Sequence, residues 1–225
     1  MNYKFSLIIL ISTLLLSGCF LSKKGSKTAS SKEDPYSSII YVTDPKQDSI
    51  AKARAAQQHK RELLFHEDSL LKAKYARNMQ IPPDSIRDVS LPLYRFIDNW
   101  IYTPYLWGGT TRKGIDCSAF VQRLLAEVYD VEVPRTSIQQ YLTRNVIPFR
   151  GLDRLEEGDL IFFKTIDGNP ITHVGLYLKN GYFINSASKG VTIANLRSAY
   201  WASKYVSCGR INLAKSTRIR NVSKN

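Results

Sequence analysis

Gly114-Ile115-Asp116-Cys117-Ser118-Ala119-Phe120-Val121-Gln122 is the stretch from which the rest of the chain can be read. Onward from Ser118, the apolar residues Phe120, Val121, Leu124, Leu125 and Val128 recur at i, i+1, i+4, i+5 and i+8. That spacing predicts an amphipathic helix to Tyr129, so Cys117 stands at a helix N-terminus. Free N–H groups and the helix dipole there favour thiolate over thiol, which suits a nucleophile. A structural cysteine sits more often inside an apolar run, whereas this one lies between Asp116 and Ser118 after glycines.

On the N-terminal side, Leu93, Phe96, Ile97, Trp100 and Ile101 fall on one side of a predicted helix over 91–102. Thr103-Pro104 ends it, and an aromatic turn, Tyr105-Leu106-Trp107-Gly108-Gly109, leads to the cysteine. On the C-terminal side the pattern predicts strands near 158–163, 171–178, 182–187, 191–194 and 205–211. His173 is the only histidine between 90 and 214, and Asn185 follows on the next strand. A helix-start cysteine, a strand histidine and a neighbouring polar side chain make a Cys–His–polar constellation.

Strand parity tests that grouping. A two-residue turn at Asn180-Gly181 sets Leu176 opposite Asn185, with His173 on the other face of the sheet. A three-residue turn, 179–181, with Gly181 left-handed, or a bulge, sets Gly175 opposite Asn185. His173 and Asn185 then share a face as a diagonal pair, within reach of a hydrogen bond to the imidazole Nδ1–H. The grouping requires the odd turn.

The matching stretches PYLWGG (104–109), GIDCSAFVQ (114–122), VPRTSIQQ (133–140), EGDLIFF (157–163) and ITHVGLYLKNGYFINSAS (171–188) resemble the NlpC family of bacterial cell-wall cysteine peptidases. The resemblance covers just over half of the chain, about 90–214, and implies an α+β, papain-like fold: N-terminal helices, the nucleophile at a helix N-terminus, packed on an antiparallel sheet. It assigns the nucleophile to Cys117, the base to His173 and the ring-orienting residue to Asn185, where many members carry His. Tyr105 matches a tyrosine placed to donate to the developing oxyanion, and Asp116, Ser118, Arg135 and Ser137 match positions lining the substrate groove. Arg135 and Thr136 equally suit a capping role after Pro134. The implied activity is hydrolysis of peptidoglycan stem-peptide amide bonds, most often γ-D-glutamyl to diaminopimelate. A D-Ala crosslink, the N-acetylmuramoyl-L-alanine bond, or wall binding without catalysis are the alternatives.

Outside this region the chain reads as delivery apparatus. Lys4 precedes the apolar run Phe5–Leu16, shorter than the roughly 20 residues that span a bilayer, so 1–18 is a secretory leader. Leu16-Ser17-Gly18-Cys19 resembles a lipobox, in which Cys19 is lipidated and becomes the mature N-terminus. With Phe20 rather than Asp next, known sorting rules direct such a protein to an outer membrane, facing the periplasm. Residues 19–45 have a linker's composition, and 46–80, rich in Ala, Lys, Arg, Gln, Glu and Leu, predict a helix ended by Ile81-Pro82-Pro83, either a stalk of about 50 Å or an element packed on the domain.

The net charge of +13 is carried mostly by the flanks: +5 in 19–80 and +4 in the tail 215–225, against +3 in 81–214. That placement suits an anionic surface and argues against a nucleic-acid-binding domain. Three cysteines make neither a disulfide framework nor a zinc site, and no phosphate or dinucleotide loop appears, so no cofactor or metal is expected. Cys208 in an apolar strand reads as buried and inert, although a pairing with Cys117 stays open. Trp100 and Trp201 read as packing residues, and Trp107 as core, with a sugar platform as its alternative.

Overall fold

The computed structural model describes residues 45–212. The leader, Cys19, most of the linker and the basic tail lie outside the described residues. The chain divides into two units, 1–49 and 50–225; of the first, only 45–49 are described, at the start of helix α1 (Pro45–Met79).

Strong helix formers carry α1 for 35 residues. From Lys46 to Glu67 its side chains are exposed, whereas Tyr75, Ala76 and Met79 are buried in the domain core. The stalk and the packed helix are therefore two ends of one element. Its termination lies one step before the prolines. Gln80 adopts a left-handed φ of 56°, its N–H donates to the Arg77 carbonyl, and the Ile81 N–H donates to the Ala76 carbonyl. That is a Schellman closure with glutamine in the position glycine usually takes. Asn180 Nδ2 donates to the Met79 carbonyl (2.8 Å), tying the helix end to a turn of the sheet.

Helix α2 (Leu91–Trp100) buries Leu93, Tyr94, Phe96, Ile97 and Trp100. It stops two residues before the predicted end because Tyr102 turns left-handed (φ 64°) and its N–H donates to the Val191 carbonyl. A short hairpin of β1 (Thr110–Thr111) and β2 (Gly114–Ile115) leads into α3 (Cys117–Tyr129), which buries Phe120, Val121, Leu124 and Leu125 as their spacing predicts.

The main sheet is antiparallel, with β3 (Val146–Phe149) and β7 (Gly190–Asn195) at its edges. Its strand order is β3-β8-β4-β5-β6-β7, where β4 is Leu160–Phe163, β5 His173–Tyr177, β6 Tyr182–Ala187 and β8 Tyr205–Ile211. Leu160, Phe162, Val174, Leu176 and Ile184 join the helices in the main core. On the opposite face Ile161, Phe163, Phe183 and Leu196 form a smaller cluster with Trp201 of the short helix α5 (Ala199–Lys204). Helices and antiparallel sheet together make the expected α+β fold. The sequence pattern gave no sign of β3, of α5, or of α4 (Ser137–Leu142).

Candidate active site

The turn between β5 and β6 decides which faces meet. Leu176 pairs with Ile184 and Tyr177 with Phe183, so Gly175 lies opposite Asn185 and three residues, 179–181, separate Leu178 from Tyr182. Asn180 (φ 52°) and Gly181 (φ 79°) are both left-handed, and the Tyr182 N–H donates to the Lys179 carbonyl. This is the odd spacing that the grouping required. A Cβ on Gly175 would lie 2.6 Å from the Phe183 ring, so glycine lets that ring cross the strand beside the histidine.

His173 and Asn185, 6% and 1% exposed, share the face that α5 covers. Asn185 Nδ2 donates to the Thr192 carbonyl (3.2 Å), which turns Oδ1 toward the ring, 3.1 Å from His173 Nε2. The nitrogen that meets Asn185 is thus Nε2, where the sequence reading had Nδ1: parity fixes the face but not the edge of the ring presented. Nε2–H donates and Nδ1 keeps its lone pair. Trp201 stacks on the imidazole at 5.2 Å, with Phe163 at 5.9 Å. Sequence reasoning assigned Trp201 to packing, and no local signal connects it to His173. Burial pushes the imidazole down to about 4, against smaller opposing pulls from Asn185 and the Asp116 charge.

Cys117, 7% exposed, opens α3. The N–H of Val174, next to His173, reaches its sulfur, as do the N–H groups of Ser118 and of Cys117 itself. Burial outweighs them and, with the Asp116 charge, pushes the thiol up to about 11. This runs against the thiolate expected from the helix start, because burial favours the neutral thiol at Cys117 and the neutral imidazole at His173. Cys117 and Cys208 are both free, and Cys208 is buried with Tyr205 Oη 3.3 Å away.

Asp116 caps α3. Its Oδ1 accepts from the Ala119 N–H (2.8 Å) and Ser118 Oγ (3.1 Å), and its Oδ2 accepts from the Gly108 N–H (3.0 Å). Arg135 closes the cluster with Nη1 to Oδ1 (2.9 Å), Nη2 to Oδ2 (2.6 Å) and Nη1 to Ser118 Oγ (2.9 Å). Burial alone would raise the Asp116 carboxyl; the guanidinium and the capping N–H hold it below its ordinary value instead. Three of the four residues matched to the groove thus bind one another, and the Arg135 fork is engaged by Asp116. Thr136 caps α4, accepting from the Gln139 N–H, and Ser137 opens that helix. Buried Gln140, which sequence reasoning did not single out, fastens α4 to α3 through Nε2 to the Ser118 carbonyl (2.8 Å).

Tyr105 is half-buried and bridges to Ile115, which sets it near the start of α3. Burial, then the Cys117 and Asp116 charges, raise its phenol above the ordinary value, so it remains a hydrogen-bond donor at neutral pH. A cleft of about 620 Å³ collects Tyr105, Asp116, Cys117, Ser118, Arg135 and Ser137. Its far wall is the loop between β4 and β5, with Ile166 and Asp167. Trp107, read from the sequence as core, is 73% exposed and lines this cleft. Trp100 is buried on Phe96 and Phe120, as expected.

The sequence profile of the NlpC/P60 family matches residues 102–210. "Probable endopeptidase NlpC" of Escherichia coli (strain K12) is 40% identical over 116 residues, 51% of this chain and 73% of that protein. "Murein DD-endopeptidase MepS/Murein LD-carboxypeptidase" of the same strain is 37% identical over 115 residues, 50% of this chain and 58% of that protein. Among solved structures, a protein from Staphylococcus aureus described as similar to lipoprotein, NLP/P60 family, superposes with a TM-score of 0.50 at 25% identity. That match covers 56% of this chain and 42% of the other. The chain therefore spans 58% to 73% of the length of these two curated relatives.

Proposed function

Because the chain belongs to the NlpC/P60 family, we propose that it hydrolyses an amide bond in the stem peptide of peptidoglycan through Cys117, His173 and Asn185. The observation that carries this is the Asn185 amide. With Nδ2 committed to the Thr192 carbonyl and Oδ1 to His173 Nε2–H, the ring keeps Nδ1 as its proton acceptor.

In this reading His173 Nδ1 takes the thiol proton as the Cys117 sulfur attacks the scissile carbonyl. The N–H of Cys117 and the Tyr105 hydroxyl donate to the oxyanion. The imidazolium, stabilised by the Asn185 carbonyl, protonates the leaving amine, and a thioester remains. Nδ1 then deprotonates a water, which attacks the thioester and releases the new carboxylate and the thiol. The fork on Asp116 holds the Gly108–Gly109 turn and the head of α3 at fixed spacing along the cleft.

The bond favoured is γ-D-glutamyl to diaminopimelate. The name of the Escherichia coli relative MepS favours a second reading, cleavage at a crosslink. Digestion of purified sacculi, with mass spectrometry of the soluble fragments, decides between them by the ends exposed. No fragment from the wild type, or equal release by Cys117→Ala, removes the proposal.

The cell envelope is the setting. Anchorage through lipidated Cys19 to the outer membrane, a leader at 1–18, a linker at 19–45 and α1 as spacer belong to the same proposal. Cys19→Ala should leave an unprocessed precursor, and normal acylation of that variant would remove the anchor.

A further inference from the structure

Gln140 reaches further into the site than a fastening between two helices requires. Its side chain is 0% exposed, and Nε2 lies 2.8 Å from the Ser118 carbonyl and 2.9 Å from the Pro134 carbonyl. Both amide hydrogens are committed there, since the opposite orientation would set Oε1 against two carbonyl oxygens. Oε1 itself meets no donor among the described residues, so what this amide contributes to the fold is the grip of Nε2.

The two carbonyls belong to the two stretches of chain that the Asp116–Arg135 pair joins. Ser118 shares a peptide bond with Ala119, whose N–H donates to Asp116 Oδ1 (2.8 Å), so that peptide plane is held at both ends. Pro134 precedes Arg135, whose Nη1 donates to the same Oδ1 (2.9 Å). From Gln140 through Ser118, Ala119, Asp116, Arg135 and Pro134, the bonds return to Gln140. The circuit holds the first turn of α3, which carries Cys117, and Gln140 is the one member that closes it by two bonds from a single atom. The same two stretches line the cleft, with Asp116, Cys117 and Ser118 on one and 135–138 on the other. A second glutamine provides the comparison. Gln122 Nε2 donates to the Val133 carbonyl (2.7 Å), lacing the same stretches together one turn farther along α3, outside the circuit.

We propose that Gln140 is a positioning residue for the reaction at Cys117: its amide fixes the first turn of α3 against the segment carrying Arg135, and so sets where the sulfur and the Cys117 N–H stand relative to the substrate carbonyl. This rests on the proposed hydrolysis and adds to it a residue that does not itself line the cleft. Its effect falls on the transition state, because a misplacement of about 1 Å at the reacting atoms can cost 10²-fold in rate. Ground-state binding, which depends on lining side chains that all remain, changes less.

The test compares full-length wild type with Gln140→Met, which keeps the length of the side chain and donates nothing, and with Gln122→Met. On a soluble muropeptide, Gln140→Met should lose at least about tenfold in kcat and keep KM within about threefold. Iodoacetamide should label its Cys117, 7% exposed in the wild type, at least about threefold faster, with Cys208 unchanged, because only the head of α3 loosens. Gln122→Met should lower Tm as Gln140→Met does and keep kcat within about twofold. Wild-type kcat in Gln140→Met, equal kcat losses in the two variants, or labelling that rises at both cysteines together, the mark of general unfolding, overturns the inference. Should Gln140→Met not fold by circular dichroism, Gln140→Glu, of the same shape with at most one hydrogen to donate, carries the same test. If the wild type cleaves nothing, the proposed function falls, and the ratio of the two labelling rates still decides whether Gln140 holds the cysteine in place.

Discussion

Arg135 tests whether the cluster at the head of α3 stands on electrostatics. In Arg135→Ala, Asp116 keeps the Ala119 and Gly108 N–H groups and the Ser118 hydroxyl, and loses both guanidinium bonds. Truncating one partner of a fully buried pair costs about 3–5 kcal/mol, and exposed pairs contribute about 0–1 kcal/mol. Asp116 is 12% exposed at its side chain and Arg135 35%, so solvent screening from the arginine side brings the expected loss to about 2 kcal/mol. For a domain of this size that is a fall in Tm of roughly 4–8 °C. The loss should depend on pH. The folded-state carboxyl lies below its unfolded value, so its stabilisation is complete above about pH 4 and disappears as pH falls through the folded value. Urea unfolding of wild type and Arg135→Ala should show the full gap at pH 7 and a shrinking one toward pH 3. Arg135→Lys, which keeps the charge but loses the two-pronged contact, should fall between them. A gap below about 0.5 kcal/mol at pH 7, or one constant from pH 3 to 7, would refute the reasoning.

The neutral thiol that burial favours predicts that iodoacetamide labels Cys117 about tenfold faster per pH unit between pH 7 and 9, since the thiol is pushed up to about 11; a flat rate from pH 5 to 8 would instead indicate a preformed ion pair. His173→Ala should lose roughly 10²–10⁴-fold in kcat/KM on a soluble muropeptide, and Asn185→Ala less, because it orients the ring without carrying a proton; equal losses would contradict those roles. Gln80→Gly should stabilise the chain by about 0.5–1 kcal/mol, measured as a rise in Tm, by relieving the left-handed residue that closes α1; a fall in Tm would show that the Gln80 side chain matters more than its backbone.

Much of this was legible in the chain because it rested on period and parity. The apolar spacing after Ser118 marked α3, and β6 and β8 begin and end where the pattern placed them. The turn arithmetic at 179–181 set out the condition under which His173 and Asn185 share a face, and the observed register meets it. What period cannot encode was not legible. The ring nitrogen facing Asn185 depends on the rotamer of His173, packed against Trp201 and Phe163, which no pairing pattern encodes. α4 and α5 have six residues each, too few for a period to emerge, and both owe their place to tertiary packing. The helix-start argument for a thiolate weighed a local dipole without the burial that only the folded domain supplies, and that burial pushes the thiol the other way.

The two rims of the main sheet bear on how such molecules behave when crowded. A bare strand rim is a template on which a neighbour's backbone can dock and polymerise. Here the β3 rim carries Pro148, opposite Gly209, and proline has no N–H to offer an incoming strand. The β7 rim is stoppered at Val191, whose carbonyl accepts from the Tyr102 N–H and whose own N–H donates to the Thr103 carbonyl. The segment leading to the nucleophile thus also seals the sheet against intermolecular strand exchange. Loosening it, for example by a side chain at Gly190, whose Cβ would lie 2.4 Å from the Thr103 oxygen, would open a path to aggregation as well as disturb the cleft.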